Sequence, residues 1–329
     1  MLILSKDEVR QALPMTEMIA ATKQAYAALS AGKAEVPLRS SISITPHEAT
    51  SLLMPAYVQQ ETSEALTVKI VSLFPHNIDR GLPLIHAAVL VLQADTGQPL
   101  ALLEGASLTA IRTGAASGAA SDILARPDSR VAGIFGAGVQ SRTQLESICS
   151  IRPIQKVLIF DPRQDQVEKF IEDMAGHGPI PSDLQAATDS REVASQADII
   201  CCATTSPTPV FADQHLKSGV HINGVGSYTP EMQEIPADTI QRAALFVDSR
   251  KAALSEAGDI IKPINDGQIT EDHIQAELGE VVLGTEPGRQ DPDQITFFKS
   301  VGNAVQDAAA AQLALENANK LGLGSNVAL

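Results

Sequence analysis

Cysteine is scarce in this chain of 329 residues, and long apolar runs are missing. The three cysteines, Cys149, Cys201 and Cys202, are odd in number and include an adjacent pair in apolar surroundings. We therefore expect small buried thiols in a reducing cytosol rather than a disulfide framework. No run of about 18 apolar residues is present to span a bilayer, and the N-terminus becomes charged at Lys6, too early for a signal peptide. These absences predict a cytoplasmic protein.

Basic residues are also few, with 24 lysines and arginines against 39 acidic residues and a net charge of −15. This balance argues against nucleic acid and against an anionic membrane as partners, because both are themselves negatively charged. The 44% hydrophobic and 19% charged content are those of an ordinary globular protein, and the length is sufficient for two domains. We expect a small-molecule partner.

One stretch that is present is typical of dinucleotide binding. A short apolar run ends at Gly136-Ala-Gly138, helical spacing follows over 141–148, and a second apolar run, 157–160, ends on Asp161. Such glycines permit a tight turn that brings a pyrophosphate close to backbone N–H groups at a helix N-terminus, and the acidic residue accepts hydrogen bonds from a ribose. Ser141 replaces the third glycine of the pattern. The stretch predicts a nucleotide site, and a glycine turn without a ligand is the alternative.

The part of the chain before this stretch has the pattern of an α+β domain. We expect a helix over 6–31, short strands within 36–104 and a small-residue helix over 107–124. The segment Gln93–Gln98, which contains Asp-Thr-Gly, predicts a hairpin turn between two of the strands.

From residue 131 onward, strand and helix patterns alternate. Strands at 199–203, 220–225 and 244–247 are almost continuously apolar, as a parallel sheet covered on both faces requires. An alanine-rich helix follows at 302–320. The predicted fold class is therefore α/β, a Rossmann-type doubly wound parallel sheet plus an α+β domain.

Three basic residues, Arg39, Lys69 and Arg112, lie in otherwise apolar or small-residue surroundings. Together they suggest a cluster that binds a carboxylate, because an arginine fork grips a carboxylate with two hydrogen bonds and a partly buried lysine can relay a proton. The alternatives are a surface charge for Arg39, a solvent-facing strand position for Lys69 and a helix-surface position for Arg112. The histidines, including His76 and His86, show no metal-ligand spacing, so we expect no metal.

Several segments resemble the ornithine cyclodeaminase/μ-crystallin family of NAD(P)-dependent enzymes, and the resemblance runs nearly end to end. Its most specific pieces are Ala110–Ser117, Gly136–Gln140, Ser255–Asp259, Leu278–Gly284 and Phe298–Gly302. The resemblance implies a substrate-binding and dimerisation domain over 1–118 and 306–329, a Rossmann domain over 119–305, and a homodimer paired through the first domain.

The resemblance also implies roles for individual residues. The substrate-binding residues would be Arg39, Lys69, Arg112 and Val301, and Lys69 would be catalytic. Val139 and Gln140 would contact the cofactor pyrophosphate, Asp161 its ribose, and Ser300 its edge next to the substrate. The other residues expected to bind the cofactor are Thr113, Gly136, Gly138, Arg163, Thr204, Val225, Gly226 and Ser227. NAD(H) is the expected cofactor, because Asp161 repels a 2′-phosphate, and NADP(H) stays open because Arg163 could contact one.

One departure from the family pattern bears on the reaction. Cyclodeaminases of the family carry a catalytic Asp after the strand at 220–225, where this chain has Tyr228. Without that carboxylate, the chain resembles the imine-reducing branch, although Glu231 or Glu234 could substitute. We expect a reductase of Δ1-pyrroline-2-carboxylate or Δ1-piperideine-2-carboxylate that forms L-proline or L-pipecolate. The alternatives are an ornithine cyclodeaminase, an enzyme like alanine dehydrogenase, and a non-catalytic nucleotide-binding protein like some crystallins.

Overall fold

A computed structural model describes residues 1–59 and 64–328 of the chain. The chain forms two compact units, the first from Met1–Arg112 and Asn303–Leu329, the second from Thr113–Gly302. Leu329, which ends the predicted first domain, lies outside the described residues. The predicted boundaries at 118 and 306 lie a few residues from those of the units, and the assignment of a function to each unit stays a prediction.

The first unit begins with a short strand and two helices, which a run of strands follows. The elements of its N-terminal segment are β1 (Leu2–Leu4), α1 (Lys6–Ala12), α2 (Met15–Ser30), β2 (Ala34–Glu35), β3 (Ser40–Ile44), β4 (Ala49–Gln59), β5 (Glu64–Leu73), β6 (Ile85–Leu92), β7 (Pro99–Glu104) and α3 (Gly105–Leu124). Helix α3 continues past Arg112 into the second unit.

The second unit alternates strands and helices. Its elements are β8 (Val131–Phe135), α4 (Val139–Ile151), β9 (Lys156–Phe160), α5 (Gln164–Met174), β10 (Leu184–Ala186), α6 (Ser190–Gln196), β11 (Ile199–Cys202), β12 (His221–Gly224), α7 (Ala237–Arg242), β13 (Ala244–Val247), α8 (Arg250–Glu256), α9 (Gly258–Asn265), β14 (Ile274–Glu277), α10 (Leu278–Leu283) and β15 (Thr296–Lys299). The strands pair in parallel in the order β10-β9-β8-β11-β12-β15-β13-β14. The strand order reverses between β8 and β11, which is where doubly wound sheets bind their ligands. The predicted Rossmann-type sheet is confirmed.

The chain then returns to the first unit through α11 (Ala304–Leu321) and β16 (Ser325–Asn326). The sheet of this unit has the order β16-β1-β7-β6-β5-β4-β2, with β3 also on β4. Among its described residues, only β1 and β7 pair in parallel. Helix α11 packs against α2 and against β4 and β5. The predicted α+β composition of this part is therefore confirmed.

The strands of the second unit are buried on both faces, which explains their continuous apolar sequences. Along β11, Ile199 and Cys201 belong to one hydrophobic cluster, whereas Ile200 and Cys202 belong to the cluster on the other face. The alternation follows from the two-residue period of a strand. The three cysteines are buried and free, as expected from their surroundings.

Two predicted elements differ from the structure. The helix expected over 6–31 is two helices, because Pro14 has no N–H to donate and keeps Leu13 out of the helical region. Strand β4, where only short strands were expected within 36–104, extends over 11 residues. The hairpin turn is confirmed: Gln93 N–H donates to the Gln98 carbonyl at 2.8 Å, and Gly97 has a φ of +73°. Within residues 1–59 and 64–328, no helix combines the length and apolarity needed to cross a bilayer.

Candidate active site

The glycine turn after β8 has a backbone that only glycine adopts easily. Gly136 has a φ of +93°, and a Cβ atom placed there would lie 2.8 Å from the carbonyl oxygen of Ala203, which follows β11. A side chain would therefore strain the backbone and collide with the neighbouring strand end. The turn is as tight as the sequence pattern predicted.

The turn leads directly into α4, whose N-terminus is open. Gly138 is the N-cap residue, no side chain caps the helix, and a Cβ atom on Gly138 would have nothing within 4 Å. Val139 begins the helix with an exposed side chain, and the buried Oε1 of Gln140 has no hydrogen-bond partner among the described residues. Uncapped N–H groups with space in front of them suit an anion. These residues therefore fit the pyrophosphate of a dinucleotide.

Asp161 follows β9 and is almost completely buried. Its carboxylate accepts the N–H of Ala137 at 3.0 Å, the backbone N–H of Arg163 at 2.9 Å and the Nε of Arg163 at 3.1 Å. Burial alone would raise the pKa of Asp161, but the hydrogen bonds from Arg163 and Ala137 hold it below its usual range. Asp161 thus fixes the glycine turn, and a ribose hydroxyl would share this carboxylate with Arg163.

The loops after β11 and β12 bring Thr204 and Gly226 into contact. A Cβ atom on Gly226 would lie 2.0 Å from the Thr204 carbonyl oxygen, so only glycine fits there. The Val225 N–H donates to the Cys202 carbonyl at 2.9 Å. Ser227 is fully buried, and its hydroxyl donates to the Met232 carbonyl at 3.1 Å. The structure therefore uses the Ser227 hydroxyl internally.

A buried carboxylate also shapes the segment after β15. Asp248 accepts the Ser300 hydroxyl at 2.8 Å and the N–H groups of Val301 and Gly302 at 3.1 and 2.8 Å. Burial raises the pKa of Asp248, against the effect of these hydrogen bonds. Thr113, on α3, is likewise buried, and its carbonyl accepts from the Gln144 side chain at 3.2 Å. Ser300 and Thr113 therefore have partners inside the second unit.

Lys69 and Arg112 meet at one carboxylate inside the first unit. The Nζ of Lys69 lies 2.9 Å from Oδ1 and 2.8 Å from Oδ2 of Asp307 on α11. The Nε of Arg112 lies 3.1 Å from Asp307 Oδ1, and its Nη1 donates to Gln306 Oε1 at 3.0 Å. Lys69 is 1% exposed and Arg112 6%, so the solvent-facing interpretations of both residues are wrong. Asp307 and Gln306 fix the directions of the two cationic groups.

The charges in this cluster shift the pKa values of its members. Burial lowers the pKa of Lys69, Asp307 opposes this effect, and Arg112 and Arg39 add to it; together they place the pKa at about 8. Burial would raise the pKa of Asp307, but Lys69 and Arg112 hold it below its usual range. Arg39 lies half-buried between β2 and β3 and acts on both groups. The structure thus gathers all three predicted cations, and Lys69 can exchange a proton near neutral pH.

Asp307 was missed by the sequence analysis. It lies in an alanine-rich helix whose residues 304–311 are all buried, and a lone acid in that buried stretch was the available signal. Its partner Lys69 is 238 residues away, so no local pattern connects them.

The residues at or near the position of the cyclodeaminase Asp are either exposed or hydrogen-bonded to backbone N–H groups. Tyr228 and Glu231 are exposed. Glu234 is fully buried and accepts the backbone N–H groups of Thr204, Gly226 and Ser227. Three backbone donors therefore occupy most of the acceptor positions of the Glu234 carboxylate. In the described part of the chain, no group of three His, Cys, Asp or Glu side chains could hold a metal ion.

The chain thus combines a Rossmann-type unit that contains the glycine turn and an α+β unit that contains a buried cationic cluster. The chain belongs to the ornithine cyclodeaminase/mu-crystallin family, whose model matches residues 1–321.

Full-length relatives and solved structures are similar to the chain. A Delta(1)-pyrroline-2-carboxylate reductase of Bacillus cereus is 38% identical, over 99% of both proteins. An alanine dehydrogenase of Archaeoglobus fulgidus is 32% identical, over 99% of this chain and 98% of that protein. The structure of Thermococcus litoralis Delta(1)-pyrroline-2-carboxylate reductase in complex with NADH and L-proline has a TM-score of 0.94 and 44% identity, and the match covers 99% of this chain and 100% of that one.

Proposed function

We propose that the chain is an NAD(H)-dependent reductase that converts Δ1-pyrroline-2-carboxylate or Δ1-piperideine-2-carboxylate into L-proline or L-pipecolate. This function rests mainly on the buried cluster in which Lys69 and Arg112 contact Asp307. Arg39 acts electrostatically on Lys69 and on Asp307. The full-length similarity to a reductase solved with NADH and L-proline supports the same cofactor and substrate class.

The charge of the cluster suits an anionic substrate. Lys69 and Arg112 contact one carboxylate, Asp307, and Arg39 acts on it electrostatically, so the four groups carry a charge of about +2 when all are ionised. Buried charge of one sign is costly until a counter-ion arrives. A substrate carboxylate supplies that counter-ion, and the planar forks of Arg39 and Arg112 would orient it.

Lys69 would supply the proton that the reaction needs. Reduction of a C=N bond consumes one hydride at carbon and one proton at nitrogen. Burial and the neighbouring charges place the pKa of Lys69 at about 8, so its Nζ is mostly protonated at neutral pH and can donate to the imine nitrogen. Protonation makes the imine carbon electrophilic. Lys69 then recovers its proton from solvent, and Asp307 keeps its Nζ in place.

The second unit would hold the cofactor. Gly136, Gly138, Val139 and Gln140 would bind the pyrophosphate through the N-terminus of α4. The remaining contacts assigned to the cofactor are those of Thr113, Asp161, Arg163, Thr204, Val225, Gly226, Ser227 and Ser300, with Val301 towards the substrate. The nicotinamide, when bound, supplies the hydride. We assign substrate binding and subunit pairing to the first unit and dinucleotide binding to the second.

An amino-acid dehydrogenase is the second candidate, because the Archaeoglobus fulgidus alanine dehydrogenase is also similar over almost the whole chain. Its reverse reaction would start from an open-chain keto acid and ammonia, whereas the proposed reaction starts from a ring. Ornithine cyclodeamination is disfavoured, because Tyr228 replaces the catalytic Asp of the family pattern and Glu234 is occupied by backbone N–H groups.

The first unit also carries apolar side chains that are suited to pairing with a second copy. Large exposed apolar residues concentrate between residues 38 and 84; they are Leu38, Ile42, Ile70, Ile78, Leu82 and Leu84. Exposed patches of this kind typically mark interfaces. We infer a homodimer through this surface, in the cytosol that the free thiols favour. Sedimentation equilibrium should give twice the chain mass, and a monomeric mass would contradict the pairing.

Turnover measurements separate the candidate reactions. NADH oxidation should be rapid with Δ1-pyrroline-2-carboxylate or Δ1-piperideine-2-carboxylate and slow with pyruvate plus ammonia. Ornithine plus NAD⁺ should release no more ammonia than a boiled control. Faster turnover of pyruvate would replace the reductase with an amino-acid dehydrogenase, and ammonia release from ornithine would replace it with a cyclodeaminase.

A further inference from the structure

Buried Glu234 connects two loops of the second unit. Its Oε1 accepts the N–H of Thr204 at 2.5 Å, and its Oε2 accepts the N–H groups of Gly226 at 2.6 Å and Ser227 at 3.2 Å. Thr204 follows β11, whereas Gly226 and Ser227 follow β12, and these strands are neighbours in the parallel sheet. One carboxylate therefore fixes the backbone at two adjacent strand ends, on the edge where such sheets bind their ligands.

The two loops have little space in which to move. A Cβ atom on Gly226 would lie 2.6 Å from Glu234 Oε1, in addition to its collision with Thr204. The methyl group of Thr204 would lie 3.1 Å from a Cβ atom on Gly136, so the loop after β11 also abuts the glycine turn. The position of the Glu234 carboxylate therefore sets where Thr204 and Gly226 lie beside that turn.

Glu234 is itself held by a second buried pair. The Oδ1 of Asp259 accepts the N–H groups of Glu234 at 2.7 Å and Ile235 at 3.0 Å. The Oδ2 of Asp259 lies 3.2 Å from the Nζ of Lys299, and both side chains are fully buried. Asp259 and Lys299 belong to two segments that stand out in the sequence, Ser255–Asp259 and Phe298–Gly302, and the proposed chemistry gives neither side chain a task.

We propose that Glu234 is a positioning residue for the nicotinamide cofactor, and that Asp259 and Lys299 hold it in place. Its carboxylate touches no reacting atom; it acts by fixing the N–H groups of Thr204, Gly226 and Ser227, and thereby the shape of the two loops. This role rests on the proposed use of NAD(H).

Glu234 accepts all three hydrogen bonds only while it is ionised, because a protonated carboxyl turns one acceptor into a donor. Burial raises the pKa of Glu234, Lys299 on β15 opposes this effect and Asp259 on α9 adds to it; together with the hydrogen bonds from Thr204 they place the pKa at about 7. The other titratable groups that face it from the described elements are the buried thiols of Cys201 and Cys202 on β11. Affinity for NADH should therefore fall as the pH falls through about 7.

The stability of the fold should respond to Glu234 in the opposite direction. An acid whose pKa is raised in the folded state binds its proton more tightly there than in the unfolded state, so its contribution to stability grows as the pH falls. A purely structural Glu234 would therefore give no loss of NADH affinity on acidification. If Glu234 positions the two loops, a fall in pH weakens NADH binding, while the protonation of Glu234 does not lower the stability of the fold.

The test is calorimetric titration of NADH into the full chain without substrate. Glu234→Gln keeps the size of the side chain but places an NH₂ group against backbone donors, and we expect NADH binding to weaken about 10- to 100-fold. Glu172→Gln, at an exposed position on α5, is the matched control and should bind NADH like the wild type. Between about pH 8.5 and 5.5 the wild-type affinity should fall, whereas the affinity of Glu234→Gln should stay nearly constant.

The outcomes separate this role from the proposed function. A folded Glu234→Gln variant that binds NADH as tightly as the wild type would overturn the positioning role and leave the reductase intact. If the variant fails to fold, the wild-type titration decides: a fall in affinity through about pH 7 supports the role, and a constant affinity overturns it. A wild-type chain that binds no NADH at any pH would overturn the proposed function and this role together.

Discussion

Two buried lysine–aspartate pairs, one in each unit, differ in what surrounds them. In the first unit Lys69 and Asp307 lie with Arg112 and within reach of Arg39. In the second unit Lys299 and Asp259 lie with a further acid, Glu234. The pairs themselves are alike, since all four side chains are at most 1% exposed. Their neighbours give the two clusters opposite charge.

The charge balance indicates what completes each cluster. Three cations act around one carboxylate, Asp307, which leaves the first cluster positive when all four groups are ionised. One cation and two carboxylates leave the second cluster negative, and backbone N–H groups donate to both oxygens of Glu234 and to Oδ1 of Asp259. A buried pair of opposite charges is thus no sign of function by itself. The net charge of each cluster, and the groups that balance this charge, indicate whether a ligand or the chain completes the site.

The largest expected effect comes from removing the proton donor of the first cluster. Lys69→Met keeps the bulk of the side chain and leaves Asp307 paired with Arg112, so the chain should still fold. We expect kcat to fall by about 100- to 10,000-fold, the usual contribution of a general acid. The wild-type rate should decline as the pH rises through about 8, because Lys69 then loses its proton, and the variant should lack this decline. Steady-state rates measured across pH test both points. If the variant shows the same decline as the wild type, a group other than Lys69 donates the proton.

Replacing Asp307 and Asp259 in turn tests the comparison between the two buried lysine–aspartate pairs most broadly. Asp307→Asn leaves Lys69 and Arg112 without their buried anion, and Asp259→Asn leaves Lys299 without its own. Each should destabilise the fold by about 3–5 kcal/mol, the usual cost of an uncompensated buried charge. Denaturant unfolding measures both losses.

A carboxylate ligand should distinguish the two aspartate variants. L-Proline offers a replacement anion to the first cluster only, so it should raise the Tm of Asp307→Asn more than that of Asp259→Asn. Thermal melts with and without L-proline measure this difference. No shift in either variant would show that the first cluster is completed by the chain and not by a ligand.

Arg112→Lys should have a smaller effect, because it keeps the charge and removes only the planar fork. A lost charged hydrogen bond of about 1.5–3 kcal/mol corresponds to roughly a 10- to 100-fold fall in kcat/KM. NADH affinity, measured in parallel, should change little because the assigned pyrophosphate contacts lie at the glycine turn. An unchanged kcat/KM would place the substrate carboxylate elsewhere.

Some of the residues tested above can be identified from sequence patterns, and others cannot. The glycine turn at Gly136 and the acid at Asp161 belong to one local strand–helix–strand pattern, which fixes their spacing. Lys69 and Arg112 stand out as charges among apolar neighbours. Asp307 was missed because its partner is 238 residues away and its own neighbours are alanines. Glu234 looked like a substitute base, since the sequence does not show the backbone N–H groups that occupy it.

The smallest expected effect concerns the choice between NADH and NADPH. Hydrogen bonds from Arg163 and Ala137 keep the pKa of Asp161 low, so its carboxylate is ionised and repels a 2′-phosphate, while Arg163 offsets part of that charge. We expect NADH to be used at least as well as NADPH, and Arg163→Ala to lower the use of NADPH further relative to NADH. The ratio of the two kcat/KM values measures this. Strict NADPH dependence would show that Arg163, not Asp161, controls the pocket.

The most direct test of the first cluster compares two rings that differ only in the carboxylate. Δ1-Pyrroline-2-carboxylate and Δ1-pyrroline carry the same C=N bond, and NADH oxidation by the wild-type chain reports on both. If the excess charge around Lys69 binds the carboxylate, kcat/KM should be at least about 100-fold higher for the carboxylated ring. Equal values for the two rings would contradict the assignment of Arg39, Lys69 and Arg112 to the substrate.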